Sequence, residues 1–475
     1  MHARLKEGKP VCPKRLPVFC LSLLLLASLA AAQTRTLNFP SDRSLGKLMK
    51  LDGHRGYDFE HMWFLGYVPG DALAEAKGDV AVSEGVRLAL DVSTEGWRDL
   101  SPLAGLKSGS IEAVLVYFSR TQAEGGDTAL AAVSKIAGLK TLCLRGAGVT
   151  SVGLAQLAST DSLERLAVGQ EELDDAALES IARIRNLRAL SVGPCKLVSA
   201  EGLSRLGALP YLEELHVSWL QPGAYASLKQ LGSVRDLYLG GWHHGIEGVA
   251  QLAGMPALRS LKIYDLSDEE FAALPAIPSL ESLDITGRGY EYTAAGYAGL
   301  SRFPSLETLA IHGGSKKDEA FMALPRIPSL KVLQLSGAMV NDMDFLTDVS
   351  LAHISTLNSL ETLELYKGRF TDEGIKYLSR LSNLKKLSIP SPDLMTDAGL
   401  ACIAKLSRLE DLYIRGTNLT DAGMAELEKL PSLRHFQLFC RDEGEISDAA
   451  LLHLEAAIPG LEIETSAGKP WKSSR

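Results

Sequence analysis

Apolar positions recur along this chain in one fixed pattern. From Ile111 to Leu461 a Leu-x-x-Leu-x-Leu spacing returns fifteen times, at intervals of 22 to 30 residues. In the unit that begins at Leu409, the apolar residues are Leu409, Leu412 and Ile414, and the last two alternate with polar residues at the period of a strand. Thr420-Asp421 then makes a good helix start, and Met424, Leu427 and Leu430 follow at helical spacing. A strand and a short helix of this size cannot bury their apolar faces alone. The pattern therefore predicts stacked copies that share one core.

The helix starts carry their own chemistry. Ser267-Asp268-Glu269-Glu270 has the form of a capping box, and Thr371, Thr396, Thr420 and Ser447 are expected N-caps with acids in the first turn. Asp174-Asp175 reads as a helix start in the same way. Proline follows two of the helices, at Pro275 and Pro278 and again at Pro325 and Pro328, so the helices should be short.

Residues 33–105 depart from the repeat. Short glycine-punctuated strands are expected over 42–48, 78–82 and 86–92, as a small β-rich N-terminal cap on the array. The repeats fill 106–465, and 466–475 is a polar tail. Two intervals are stretched, around Arg288–Tyr292 and Val340–Leu346. In repeat arrays such insertions go to loops, often on the binding side, so both are candidate functional excursions.

The units Leu360-Glu-Thr-Leu363-Glu-Leu365 with Thr371-Asp372-Glu373-Gly374, and Leu384-Lys-Lys-Leu387-Ser-Ile389 with Thr396-Asp397-Ala398-Gly399-Leu400, resemble leucine-rich repeats. More narrowly they resemble the "TDAGL" subtype of exported bacterial, planctomycete-like proteins, which is similar to cysteine-containing leucine-rich repeats. The resemblance implies an α/β leucine-rich-repeat solenoid, a curved horseshoe with a parallel β-sheet on the concave face and short helices on the convex face. It also implies partner binding on the concave side. The turn position after the strand, usually Asn in the family, is Thr417, Cys195 or Ala147 here, so the family's asparagine ladder should be absent.

Stacking the repeats turns positions into rows. The residue after each first apolar position is always charged: Glu112, Lys140, Glu164, Arg188, Glu213, Arg235, Arg259, Glu281, Glu307, Lys331, Glu361, Lys385, Glu410, Arg434 and Glu462. Signs alternate except at Arg235/Arg259 and Glu281/Glu307, which reads as a register device, since a slip of one repeat would oppose like charges. The rows beside the second and third apolar positions face the concave side. There the candidate ligand-binding residues are His216, Trp219, Tyr238, Trp242, Lys262, Tyr264, His312, Tyr366 and Tyr413.

Charge and targeting narrow the partner. Lys9, Lys14 and Arg15, an apolar run from Leu16 to Leu29 and Ala30-Ala31-Ala32 read as a cleavable signal peptide over residues 1–32, which predicts a secreted or periplasmic protein with no integral membrane span after cleavage. Loss of that segment would leave 44 basic and 57 acidic residues, a net charge of −13, against −9 for the whole chain. An acidic surface repels phosphate backbones and argues against nucleic acid.

No metal or other cofactor is expected. Cys143, Cys195, Cys402 and Cys440 lie in different repeats without metal-ligand spacing, and the adjacent His243-His244 have no acid or cysteine placed beside them. No GxSxG, phosphate loop, HExxH or EF-hand sequence is present. The expected function is a non-enzymatic binding scaffold for a protein partner. A polysaccharide-binding or envelope-binding structural protein is the alternative. An enzyme built on His54, Asp58, Glu60, His61 and Trp63 of the cap is a third reading.

Overall fold

The computed structural model describes residues 34–51, 72–92, 96–117, 125–146, 148–169, 173–241, 244–315, 318–336, 346–365, 368–389, 392–415, 418–439, 446–465 and 469–470. The signal segment, the cap residues His54 to Trp63, Trp242, His243, Tyr366 and Cys440 lie outside them.

The strands run in one open ladder. From Leu88–Val92 through Ala113–Tyr117, Thr141–Arg145 and onward to Glu462–Thr465, each strand pairs parallel to the strand of the next repeat. Leu409, Leu412 and Ile414 are all buried, as are their equivalents in every unit but the last, and they form one continuous core. Between strands the chain returns through short helices, from four residues at Asp318–Phe321 to ten at Asp448–Ala457. One return, Pro222–Gln230, is wholly 3₁₀. Strands stack about 4.8 Å apart whereas helices are roughly 10 Å wide, so the sheet takes the inner, concave side. The fold is an α/β leucine-rich-repeat solenoid.

At the N-terminal end the described strands are Thr34–Asn38, Gly46–Lys50, Ala72–Glu75, Asp79–Ser83 and Leu88–Val92. Gly46–Lys50 pairs antiparallel with both Ala72–Glu75 and Leu88–Val92, and the last of these opens the parallel ladder. The first and fourth strands by sequence position, Thr34–Asn38 and Asp79–Ser83, form a separate antiparallel pair. No helix among the described residues is long and apolar enough to cross a membrane.

The helix starts behave largely as their sequence predicts. Ser267 and Glu270 close a reciprocal capping box, and Thr396, Thr420 and Ser447 each accept a backbone N–H of the first turn. Thr371 is the exception: it holds the cap position, but its hydroxyl makes no capping bond and instead donates to Asp348 Oδ2 at 2.5 Å. That bond belongs to a second ladder, on the helix side. The aspartate that opens one helix accepts both the backbone N–H and the hydroxyl of the next repeat's Thr or Ser cap, as with Asp372 and Thr396 at 2.8 and 2.7 Å.

Two readings change. The last motif is one residue short, so Glu462 pairs with His435 and not with Arg434, and it leaves the charged row. The stretched interval at Arg288–Tyr292 extends the strand Ser282–Glu291 instead of forming a free loop. Tyr292 is buried against Phe271, ring centroids 5.2 Å apart, and its hydroxyl donates to the Leu266 carbonyl at 3.0 Å. The other stretched interval lies outside the described residues except Leu346. Leu346–Thr347 joins Gly368–Thr371 and Pro392–Leu394 in a small parallel side sheet.

Candidate functional site on the concave face

Along each strand the residues that alternate with the buried pair share the open face of the sheet. On Asp236–Gly240 these are Asp236, Tyr238 and Gly240, while Leu237 and Leu239 enter the core. Register sets Ser191, His216, Tyr238, Lys262, Asp284, Ala310 and Gln334 side by side on consecutive strands.

The N-terminal part of this face is apolar. Leu115, Cys143 and Ala167 pack with Leu51, Ala89 and Ala113 in a second cluster, distinct from the main core. Burial pushes the Cys143 thiol up to about 12, so it is a poor nucleophile at neutral pH. Burial also raises the Tyr117 hydroxyl to about 12, with Cys143 and Asp91 adding to it. Asp91 is itself raised by burial, against an opposing pull from Lys47.

The middle part is polar and cross-connected. Arg165 Nη1 reaches past the strand Ala189–Gly193 to within 3.5 Å of Glu214 Oε2, and His216 Nε2 lies 3.1 Å from Glu214 Oε1. The His216 and Tyr238 rings are 5.3 Å apart. Lys262 Nζ stands 6.0 Å from the Tyr238 ring centre and 3.2 Å from Asp284 Oδ2. Asp284 Oδ1 is 3.5 Å from His312 Nε2, whose Nδ1 is 2.7 Å from Ser336 Oγ. The exposed pairs among these contribute only about 0–1 kcal/mol each. Their main effect is to hold a row of charged and aromatic side chains in fixed places.

Of the residues singled out by sequence, His216, Tyr238, Lys262 and His312 therefore come together. Tyr238 is 4% exposed and His216 9%, so their rings form the floor of the patch, with Lys262 over the Tyr238 ring and His312 further along beside Asp284. Trp219 and Tyr264 lie at the strand ends beside it. Trp219 has left-handed backbone (φ 61°), as does Asp265 (φ 62°), where the equivalent positions Gly146 and Gly241 are glycine. A side chain there costs roughly 1–2 kcal/mol. Lys196 Nζ lies 5.1 Å from the Trp219 ring centre. Tyr413 sits six strands beyond Lys262, about 29 Å along the sheet, and belongs to no common patch with it. Trp242 and Tyr366 lie outside the described residues.

His244 proves to be a core residue. Its Nε2 is 2.7 Å from the Tyr264 carbonyl, which can only accept, so Nε2 carries the proton. Its Nδ1 then accepts from the Tyr225 hydroxyl at 2.6 Å, and both side chains are buried. Burial holds the Tyr225 hydroxyl well above its ordinary value, with the Glu270 carboxylate adding to the effect.

Sequence reasoning put Ser191 and Asp284 in the concave row without singling them out, and it passed over Arg165, Glu214 and Asp236. The signal was available in the period-two alternation, because each lies on the face that carries His216 and Tyr238. Among the described residues no group of three or more His, Cys, Asp or Glu is placed to hold a metal ion.

No family model matches the chain, and no curated protein does. Solved structures similar to it include a leucine-rich-repeat protein of Leptospira interrogans, at 19% identity over 79% of this chain and 95% of that one, with a TM-score of 0.44. TLR13 in its complex with ssRNA13 is 18% identical over 79% of this chain and 60% of that one, with a TM-score of 0.47. An internalin of Listeria monocytogenes is 17% identical over 82% and 90%, with a TM-score of 0.34. The assignment of a leucine-rich-repeat solenoid stands on this chain's own ladder of parallel strands.

Proposed function

We propose that this chain is a non-enzymatic binding scaffold that holds a protein partner on its concave face, centred on Lys262, Tyr264, His216 and His312. The observation that carries the reading is the cross-connected row from Arg165 to Ser336, which presents charge and aromatic surface in one fixed array. Preformed side chains lose little entropy on binding. The sequence pattern of residues 1–32 supports export, and the antiparallel strands before Leu88 suit a cap that closes the N-terminal end of the array.

The test is capture of a partner from envelope extract by the immobilised full chain and by a Lys262→Glu, Tyr264→Ala variant. Loss of a specific band in the variant is the expected result, and equal capture by both rejects the concave patch. Polysaccharide binding is the second reading, favoured by Trp219 and Tyr264 at the rim. Retardation of the chain in polysaccharide-containing gels would select it. The bound RNA of the TLR13 complex is a property of that protein, and the net charge of −9 here disfavours a polyanionic partner.

A further inference from the structure

The middle of the concave face holds two carboxylates on neighbouring strands, Glu214 and Asp236, with Glu213 of the charged row just ahead of the first. Glu213 and Glu214 already have cations. Arg188 Nη1 is 3.9 Å from Glu213, while Arg165 and His216 occupy the two oxygens of Glu214. Asp236 differs. Among the described residues no hydrogen bond or ion pair reaches its carboxylate, although it stands directly beside Glu214 in the ladder. Partial burial raises its carboxyl and Glu214 raises it further, His216 pulls it down, Glu213 adds to the rise, and Arg235 opposes it. Asp236 is exposed, so its carboxylate is open to an added cation.

A second observation is independent of the acids. Ser191 is fully buried on the same face, directly beside His216, and its Oγ has no hydrogen-bond partner among the described residues. Buried hydroxyls are almost always bonded, so an orphan on a binding face marks a place where a ligand atom or water is expected. From Ser191 to Asp236 is two strand spacings across and two residues along, roughly 12 Å. An extended peptide covers that distance in about four residues.

We propose that this part of the concave face receives an extended basic segment of the partner, laid across the strands, with an arginine or lysine on Asp236 and a backbone or side-chain polar group on Ser191. Arg165, which already lies over Glu214, is the intramolecular counterpart of that ligand cation. The proposal rests on the concave-face reading above and adds the chemistry of the occupant.

The probe is a fluorescein-labelled hexa-arginine peptide, titrated against the full chain by anisotropy at low and at physiological salt, with a hexa-glutamate peptide beside it. The arginine peptide should bind and the glutamate peptide should not. Asp236→Asn should weaken binding about tenfold, the size expected for loss of one charge-assisted hydrogen bond. Ser191→Ala should weaken it by a smaller factor. Glu373→Gln, on the outer helix Asp372–Leu378 with its side chain 80% exposed, should leave it unchanged. Melting curves of all three variants establish that each is folded. Binding that ignores Asp236→Asn, or that falls equally with Glu373→Gln, overturns the proposal. In that event a partner whose capture still depends on Lys262 and Tyr264 would leave the concave reading intact.

Discussion

Asp397 holds the cap of the following repeat with both of its carboxylate oxygens. Oδ1 accepts the Thr420 backbone N–H at 2.9 Å, and Oδ2 accepts the Thr420 hydroxyl at 2.7 Å. The same hydroxyl oxygen accepts from Ala422 N at 3.2 Å, so Thr420 caps its own helix while tied to the previous one. Asp318 to Thr347, Asp348 to Thr371, Asp372 to Thr396 and Asp421 to Ser447 repeat the arrangement without a break.

This tie explains the glycine two residues after the aspartate in each Thr-Asp-x-Gly. A Cβ on Gly423 would overlap Asp397 Oδ1, and one on Gly374 would overlap Asp348 Oδ1. Helix propensity alone says that Gly423→Ala should stabilise by about 1 kcal/mol. The overlap reverses the sign, and a loss of about 1–3 kcal/mol is expected in urea unfolding. Asp397→Ala should destabilise as well, yet the double variant should fall short of the sum by at least about 0.5 kcal/mol because the overlap is gone. Strict additivity would refute the account.

Acid should loosen the ladder at its last rung. The Ser447 backbone N–H, and then its hydroxyl, hold the Asp421 carboxyl below its ordinary 3.8. A carboxyl lowered in the folded state stabilises above its unfolded value, and that stabilisation disappears as pH falls through the folded one. Above about pH 5 this rung should be constant, and it should weaken progressively as the pH falls through 3.8 and below. Ser447→Ala should flatten that part of the stability–pH curve, and an unchanged acid limb would count against it.

The charged row predicts a salt-dependent effect. Lys385 Nζ is 2.7 Å from Glu361, and hydrogen bonding to Lys385 lowers the Glu361 carboxyl. Lys385→Glu would place an acid between Glu361 and Glu410. The melting temperature should drop at low salt, and the gap to the parent should narrow at high salt. A drop of equal size in both conditions would point to packing instead.

Burial raises the thiols of Cys143 and Cys195 to about 12, so neither should react with iodoacetamide at pH 8 in the folded chain. Peptide mapping should find both modified only after denaturation, with half-buried Cys402 modified earlier. Modification of Cys143 before unfolding would show that the N-terminal part of the concave face opens.

The Tyr225–His244 pair gives a stability test of the core. Tyr225→Phe removes the donor to a buried imidazole nitrogen and should cost about 1–3 kcal/mol. A neutral result would mean that the imidazole finds another donor or turns over.

What was legible in the sequence followed from periodicity. Leu409, Leu412 and Ile414 announce their burial by spacing, and the strand ladder, the short helices and the charged row follow from stacking that unit. The Asp–Thr tie was not legible, because its cause lies between repeats. Asp397 looked like a favourable first-turn charge, and nothing within its own repeat reveals Thr420 as its partner. Glu462 was misplaced because the shortened last motif keeps its leucine and isoleucine while losing one residue of register. At the site, His216 and Tyr238 were conspicuous as rings, yet their burial under Lys262 and Glu214 depends on neighbours one strand away.

The helix-side tie also bears on how such a chain changes length. Each repeat in the run from Asp318 to Ser447 carries a socket, its Thr or Ser cap, and a plug, its aspartate. A duplicated or deleted repeat therefore meets a ready-made neighbour at both joints, and the array can grow or shrink by whole units without a new interface. The stretch from Ala200 to Ser267 lacks the plug and returns partly through a 3₁₀ segment, so its repeats are fitted to one another individually. That bespoke stretch lies behind the concave patch, while the interchangeable one sets the reach of the array beyond it.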